Sequence, residues 1–244
     1  MSGHQKAISA PKSWRMSRKA HKWVAKPVPG PHSKHTSITL LMVLRDILGI
    51  VDNAREAKRA LHEGNVLVDG RIRREPKFPV GVFDVISIPK LEKRYRVLVD
   101  THGRMDIVED MEQELVKLYK VKNKRTVAGG KIQLNLHDGT NILVGDDTIK
   151  PADSLLLSLP DKSVITYVQF KKGVLAYVTW GKHAGQLARV KDIHVFERPI
   201  RNTVRLEVGG EEVETVMDYV FALGKEEQVL HILPSPEEPS EEVA

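Results

Sequence analysis

The sequence predicts an α+β fold that is mostly β: a helix pair with a small sheet, then small antiparallel β domains, all preceded by a basic arm. Three observations predict it. Apolar residues recur at helical spacing over 38–62, they recur mostly at every second position from Val66 onward, and turn pairs such as Asp69-Gly70, Asp138-Gly139 and Lys172-Gly173 divide the chain into short strands. Strands this short and this evenly spaced suit small barrels, not a parallel sheet with crossover helices. At 244 residues, 41% of them hydrophobic, the chain has apolar material for two or three small cores.

The arm, 1–36, mixes bases with Pro11, Pro27, Pro29 and Pro31 and carries Trp14 and Trp23. Prolines at this density exclude a long helix, and the segment cannot bury a core of its own. Exposed indoles contribute nothing to solubility, so a merely solubilising tail does not explain them; stacking on bases or packing on a folded neighbour does. The arm is expected to order only against RNA, so that its deletion leaves the folded modules intact.

ITLLMVLRDIL, 38–48, predicts an apolar amphipathic helix with Thr36 or Ser37 as its N-cap. A second helix follows. Asn53 stands three before Glu56, at capping-box spacing, and AREAKRALHEG ends on Gly64, a suitable left-handed cap. Ala57, Ala60 and Leu61 can face the first helix, which leaves Arg55, Lys58, Arg59 and His62 together on another face. The run NVLVDGRIRREP then predicts a hairpin about Asp69-Gly70 that carries Arg71, Arg73 and Arg74, and VFDVISI, 82–88, closes the small sheet.

Further on, RYRVLVD and MDIVED flank a THGR turn, one short helix is expected within 110–120, and KIQLNLHDGTNILV makes another hairpin. SLLLSLP, VITYVQF and VLAYVTW are three more strands. GKHAGQLARV, 181–190, lies between VLAYVTW and ARVKDIHVF. Glycines at 181 and 185 permit positive φ and a close backbone approach, beside Lys182, His183 and Arg189, which makes a surface suited to phosphates and sugars. The end, PSPEEPSEEVA, reads as a flexible tail.

Charge sharpens this reading. Lys and Arg total 38 against 32 Asp and Glu, a net +6 with a pI near 9.4, which favours a polyanionic partner. No carboxylate precedes Asp46, whereas from residue 225 one base, Lys225, faces Glu226, Glu227, Glu237, Glu238, Glu241 and Glu242. The positive excess therefore belongs to the arm. The absence of cysteine excludes disulfides, thiolate zinc sites and cysteine nucleophiles. An uninterrupted run of about 18 apolar residues, enough to span a bilayer, is absent, so a soluble, cytoplasmic protein without membrane partners is expected.

Catalysis finds little here. His137-Asp138-Gly139 reads as a hairpin turn, Gly145-Asp146-Asp147 as a loop, and Glu109, Asp110, Glu112 and Glu114 as an acidic helix start. No catalytic residue, metal site, cofactor or small-molecule substrate is assigned. Were Met1 removed, Ser2-Gly3-His4 could wrap Cu(II) in a square plane, to which no role is assigned.

Several stretches carry a resemblance. GKHAGQLARV resembles a KOW motif, the loop and strand of small SH3-like barrels in ribosomal proteins and transcription elongation factors, although a glycine is usual where Ala188 stands and a small residue where Trp180 stands. The helix pair through GNVLVDGRIRREPKFPVGVFDVISI resembles the αL RNA-binding module of one bacterial small-subunit ribosomal protein, some pseudouridine synthases and some synthetases. With the start KAISAPKSWRMSRKAHKWVAKPVPGPHS, residues 4–224 are similar, in the same order, to the archaeal and eukaryotic family of small-subunit ribosomal protein four of the "e" class, and the acidic tail favours an archaeal type.

The resemblance implies a non-catalytic protein that binds and stabilises small-subunit ribosomal RNA beside neighbouring ribosomal proteins. It implies a basic arm at 1–36, an αL module at 37–105, a central β domain at 106–170, a KOW barrel at 171–224 and an acidic tail at 225–244. The expected RNA-binding residues are Lys12, Trp14, Arg15, Arg18, Lys19 and Lys22 of the arm, Arg55, Lys58, Arg59 and His62 of the helix, Arg71, Arg73 and Arg74 of the hairpin, and Gly181, Lys182, His183, Gly185 and Arg189 of the loop. Two other readings are an RNA-modifying, pseudouridine-synthase-like protein and a KOW-containing transcription factor. The first needs a large catalytic domain with an aspartate in a characteristic loop, which the β-rich stretch after residue 90 lacks; the second predicts no long basic arm.

Overall fold

The structure, a computed structural model, describes residues 3–110, 112, 114–145, 147–197, 200–225 and 228–230. Two compact units divide the chain: Met1–Lys117 with Asp138–Thr140 and Leu157–Ser163, and Leu118–His137 with Asn141–Leu156 and Val164–Ala244.

In the first unit the chain runs through β1 (Ser37–Thr39), α1 (Leu40–Met42), α2 (Ala54–His62), β2 (Leu67–Val68), β3 (Arg71–Ile72), β4 (Pro79–Gly81), β5 (Val85–Ile88), β6 (Lys93–Val99) and β7 (Met105–Glu109). β1 pairs antiparallel with β4, and the remaining strands form a sheet in the order β3-β2-β5-β6-β7. Asp69 (φ 53°) and Gly70 (φ 73°) supply the two left-handed residues of the β2–β3 turn, the backbone that twists with the strands.

The first helix starts later than its periodicity predicts. Ser37–Thr39 is strand β1, drawn out of the helix by three cross-strand partners in β4, and Thr39 takes the N-cap position without a side-chain cap bond. From Val43 to Ile47 the helix widens into a π-turn, with the Leu48 N–H donating to Val43 O at 2.9 Å. The burial of Ile38, Leu40, Met42, Val43 and Leu44 shows what the apolar run is for.

α2 follows its sequence signals closely. The Asn53 side chain accepts from the N–H groups of Arg55 and Glu56, and Glu56 Oε2 accepts from the Asp52 N–H, so the box closes on the residue before the cap. Ala57 and Leu61, one turn apart, are buried.

The arm is folded onto this unit. Trp14 is 2% exposed, its indole N–H donates to Ser37 O at 2.7 Å, and Ser13 O accepts from the Met105 N–H. The arm also pairs with itself at Lys6 and Trp23. The expectation that it orders only on RNA is thus corrected: an indole satisfied by protein needs no base to cover it.

The second unit contains most of β8 (Val116–Thr126), then β9 (Ile132–Leu136), β10 (Asn141–Val144), most of β11 (Ser154–Ser158), β12 (Val164–Val168), β13 (Leu175–Val178), β14 (Leu187–His194), β15 (Thr203–Val208), β16 (Glu211–Val216) and β17 (Val220–Gly224). They make two five-stranded sheets, β10-β9-β8-β11-β12 and β16-β15-β14-β13-β17. Ala176, Val178, Ala188, Val190, Val204, Leu206 and Val220 form one cluster in the latter sheet. Ala188 lies within β14 opposite Ala176, a position whose extended backbone has no need of glycine.

Among the described residues between 110 and 120 no helix forms. β8 begins at Val116 instead, because the polar side chains that favour a helix locally are taken by distant partners: Arg96 binds the Asp110 carboxylate at 2.9 Å and Val116 O at 2.9 Å, and the Lys117 ammonium is drawn into a cluster of carboxylates.

Candidate nucleic-acid interface

α2 has two chemistries. Its apolar residues face inward, and Arg55, Lys58, Arg59 and His62 are all exposed on the other side. Arg59 meets Glu63 at 3.0 Å and Lys90 meets Glu63 at 3.5 Å, surface pairs worth little in water that leave the face net positive. The β2–β3 hairpin adds Arg71 and Arg74, both exposed, and Arg73, half-buried with its guanidinium 4.5 Å from the centre of the Phe78 ring.

In the arm, Lys12, Arg15, Lys19 and Lys22 are exposed. Arg15 meets Asp106 at 2.9 Å, and Arg18 is turned inward to the carbonyls of Ile8 and Pro11. Trp14 does not belong with them. It is a core residue, and the exposed indole is that of Trp23, 51% exposed, with the Lys22 ammonium 5.4 Å from its ring. Sequence reasoning set the two tryptophans side by side and chose the one whose neighbours bury it.

The 181–190 loop belongs to the second unit. Gly181 (φ 98°) and Gly185 (φ 77°) are left-handed, and the Gly185 N–H donates to Val178 O at 2.7 Å. Lys182 is exposed, whereas His183 and Arg189 are half-buried and Gly185 is buried.

Beneath the hairpin lies a charge cluster that the sequence did not announce. The Lys117 side chain is fully buried and donates to Asp69 and Asp84, each at 2.6 Å, with Asp138 at 3.7 Å. Asp84 also meets His32 Nε2 at 3.0 Å and accepts from the Gly81 N–H. Burial opposes the Asp84 charge, but His32 and Lys117 hold its carboxyl well below the usual carboxylate range; burial and the Asp84 charge push Asp69 up. A Cβ at Gly81 would stand 2.4 Å from the His32 ring, so glycine is required where the arm is pinned.

Members of the constellations weighed for catalysis have structural partners. Asp138 accepts from the Thr140 N–H and hydroxyl, His137 Nδ1 accepts from the Lys120 N–H, and Asp110 is the partner of buried Arg96. Asp146 and Ser2 lie outside the described residues. Among the described residues no group of three or more metal-ligating side chains occurs, and no helix is long and apolar enough to cross a membrane.

A helix pair with one cationic face, joined to a basic hairpin and followed by antiparallel sheets, defines a protein built on an S4-type module, and residues 40–86 match the S4 domain. Residues 1–35 match the RS4NT (NUC023) domain and residues 91–164 the Ribosomal family S4e. The chain belongs to this S4e family of ribosomal proteins. It is 48% identical over 224 residues to the small ribosomal subunit protein eS4 of Archaeoglobus fulgidus, with 92% of this chain and 94% of the relative covered. It is 44% identical over 239 residues to that of Methanocaldococcus jannaschii, covering 94% and 97%. The crystal structure of the 30S ribosomal protein S4e from Thermoplasma acidophilum superposes with a TM-score of 0.67 at 35% identity, covering 78% of this chain and 96% of the other.

Proposed function

We infer that the chain is a structural constituent of the small ribosomal subunit that binds and stabilises small-subunit ribosomal RNA in translation. It acts in the cytoplasm, beside neighbouring ribosomal proteins, and catalyses nothing. The observation that carries this reading is the exposed cationic face of α2, set on a helix whose other side is anchored in the core. A rigid element that presents several cations at fixed spacing suits the phosphates of a folded RNA. The relatives' names, all of ribosomal proteins, count against the RNA-modifying and transcription-factor readings.

Functionally the chain divides into the arm, the αL module over 37–105, the central β domain over 106–170, the KOW barrel over 171–224 and the tail. In the arm Lys12, Arg15, Lys19 and Lys22 touch RNA, with Trp23 in the place expected for Trp14. Lys182 and Gly181, both exposed in the 181–190 loop, offer a second contact, whereas Gly185 is buried with its N–H taken by Val178 O.

Each cation that neutralises a phosphate steepens the salt dependence by about 0.7 to 0.9 in log-log slope. Replacing Arg55, Lys58 and Arg59 together by glutamine should therefore weaken binding to purified small-subunit ribosomal RNA and lower that slope by about 2 to 3, with the thermal midpoint unchanged. Filter binding across a salt series checks this, and an unaltered slope would sink the assignment of this face. In sucrose gradients of cell extract the protein should travel with the small subunit until the salt is high. Migration as free protein at low salt would reject the ribosomal role.

A further inference from the structure

Between the β2–β3 hairpin and the turn at Asp138–Thr140 the first unit encloses an open cavity of about 260 Å³, lined by Asp69, Arg71, Arg73, Phe78, Thr140 and Lys162 among others. This lies just below the roughly 300–1,000 Å³ of ordinary ligand sites, which suits one planar group with a small polar attachment. The lining has three kinds of chemistry.

The first is a platform. The Arg73 guanidinium is backed by the Phe78 ring at 4.5 Å, and its Nε is buried with no hydrogen-bond partner among the described residues. Guanidinium planes backed by aromatics are surfaces on which bases stack. The second is a cationic mouth. Arg71 is exposed, and Lys162 reaches over the turn to donate to the Thr140 hydroxyl at 2.8 Å. Burial pushes the Lys162 ammonium down, Asp138 opposes this and Arg71 adds to it, so these cations are close enough to repel and an anion between them would relieve both. The third is a carboxylate. Asp69 is 19% exposed; its oxygens accept from Lys117 and the Val85 N–H and keep lone pairs for one further donor.

A bare anion would not choose a pocket with Asp69 and Asp138 in its lining, and an apolar group would not choose the cations. A group that joins a π-face, an amine and a phosphate satisfies all three. We propose that this cavity receives one nucleotide extruded from the bound RNA, its base stacked on Arg73 against Phe78, its exocyclic amine on Asp69 and its phosphate between Arg71 and Lys162. Bases within a duplex cannot enter such a concavity, so the nucleotide comes from a loop, bulge or junction. This rests on the RNA-binding reading above and adds to it a site that discriminates adenine, cytosine and guanine from uracil, which has no exocyclic amine.

The test uses the full chain and purified small-subunit ribosomal RNA. Arg73→Lys keeps the charge and loses the plane; Phe78→Leu keeps a half-buried apolar side chain and loses the backing. Both should lower affinity by about fivefold or more, with the salt slope held at the wild-type value, because stacking is lost and no phosphate contact is. Ultraviolet crosslinking followed by mass spectrometry should join A, C or G to the peptide that spans Arg73 and Phe78. Affinity within twofold of wild type for both variants overturns the proposal, as does loss in Arg73→Lys alone, which would mean a phosphate contact, or uridine as the crosslinked base. Should Phe78→Leu lower the thermal midpoint, the crosslink on the wild-type chain decides, and its absence from that peptide overturns the site. If the wild-type chain does not hold the RNA at all, the RNA-binding reading falls instead, so the two failures are told apart.

Discussion

Lys117 and Lys120 lie three residues apart on one strand, both buried, and each is satisfied differently. Lys117 is paired with carboxylates. Lys120 instead donates to the carbonyls of Met217 and Val220 at 2.6 and 2.7 Å, with its ammonium 5.6 Å from the Phe221 ring. Carbonyls carry only partial charge, so burial wins and pushes Lys120 down to about 8 from its ordinary 10.5, with Asp218 opposing in part. The native state therefore releases this proton near pH 8 and the unfolded chain only near 10.5. Between those values the unfolded chain binds more protons, so stability rises with pH; below pH 8 the full penalty, on the order of 3 kcal/mol, stands. Denaturant unfolding at pH 7.5 and 10 should show wild type gaining about 2–3 kcal/mol relative to Lys120→Met. Equal pH responses would mean that Lys120 keeps its charge in the folded protein. Neither lysine's role was legible in the sequence, where both fall in the stretch 110–120 that reads as one short helix; their partners lie at positions 69, 84, 217 and 220, beyond any local pattern.

At the scale of elements, what could be read was what local chemistry decides. Helix α2 was legible from Asn53 to Gly64, because a cap, an apolar pair one turn apart and a left-handed glycine are short-range devices. The β2–β3 hairpin was legible for the same reason, through Asp69-Gly70. The first helix departs from its sequence signals at its start and the 110–120 segment in its described residues, since in both a strand partner or a buried cation outweighs a propensity worth only tenths of a kcal/mol per residue. α2 has nine residues, too few to persist in isolation, so its cap matters. Asn53→Ala should cost about 1 kcal/mol in thermal denaturation of the full chain, whereas Asn53→Asp, which keeps the acceptor and suits the helix dipole, should cost almost nothing. An equal loss in both would show that Asn53 acts through something other than the cap.

At the scale of the whole molecule, the charge asymmetry was plain in the sequence but the arm's second role was not. Its bases point outward at Lys12, Arg15, Lys19 and Lys22, while Trp14 and His32 plug into the first unit, at Ser37 O and at Asp84. The arm is at once an electrostatic surface and a structural staple, and the two roles are separable. Trp14→Ala removes a buried indole and its hydrogen bond without touching a charge. Cavity formation on that scale costs about 3–5 kcal/mol, so the thermal midpoint of the variant should fall by several degrees. Its salt slope for ribosomal RNA, measured below the new midpoint, should match that of wild type, because every phosphate-neutralising cation remains. Replacing Lys12, Lys19 and Lys22 by glutamine should do the reverse, lowering the slope by about 2 to 3 at an unchanged midpoint. Deleting 1–36 should then show both losses together, and Trp14→Ala melting at the wild-type temperature would return the arm to a purely electrostatic role.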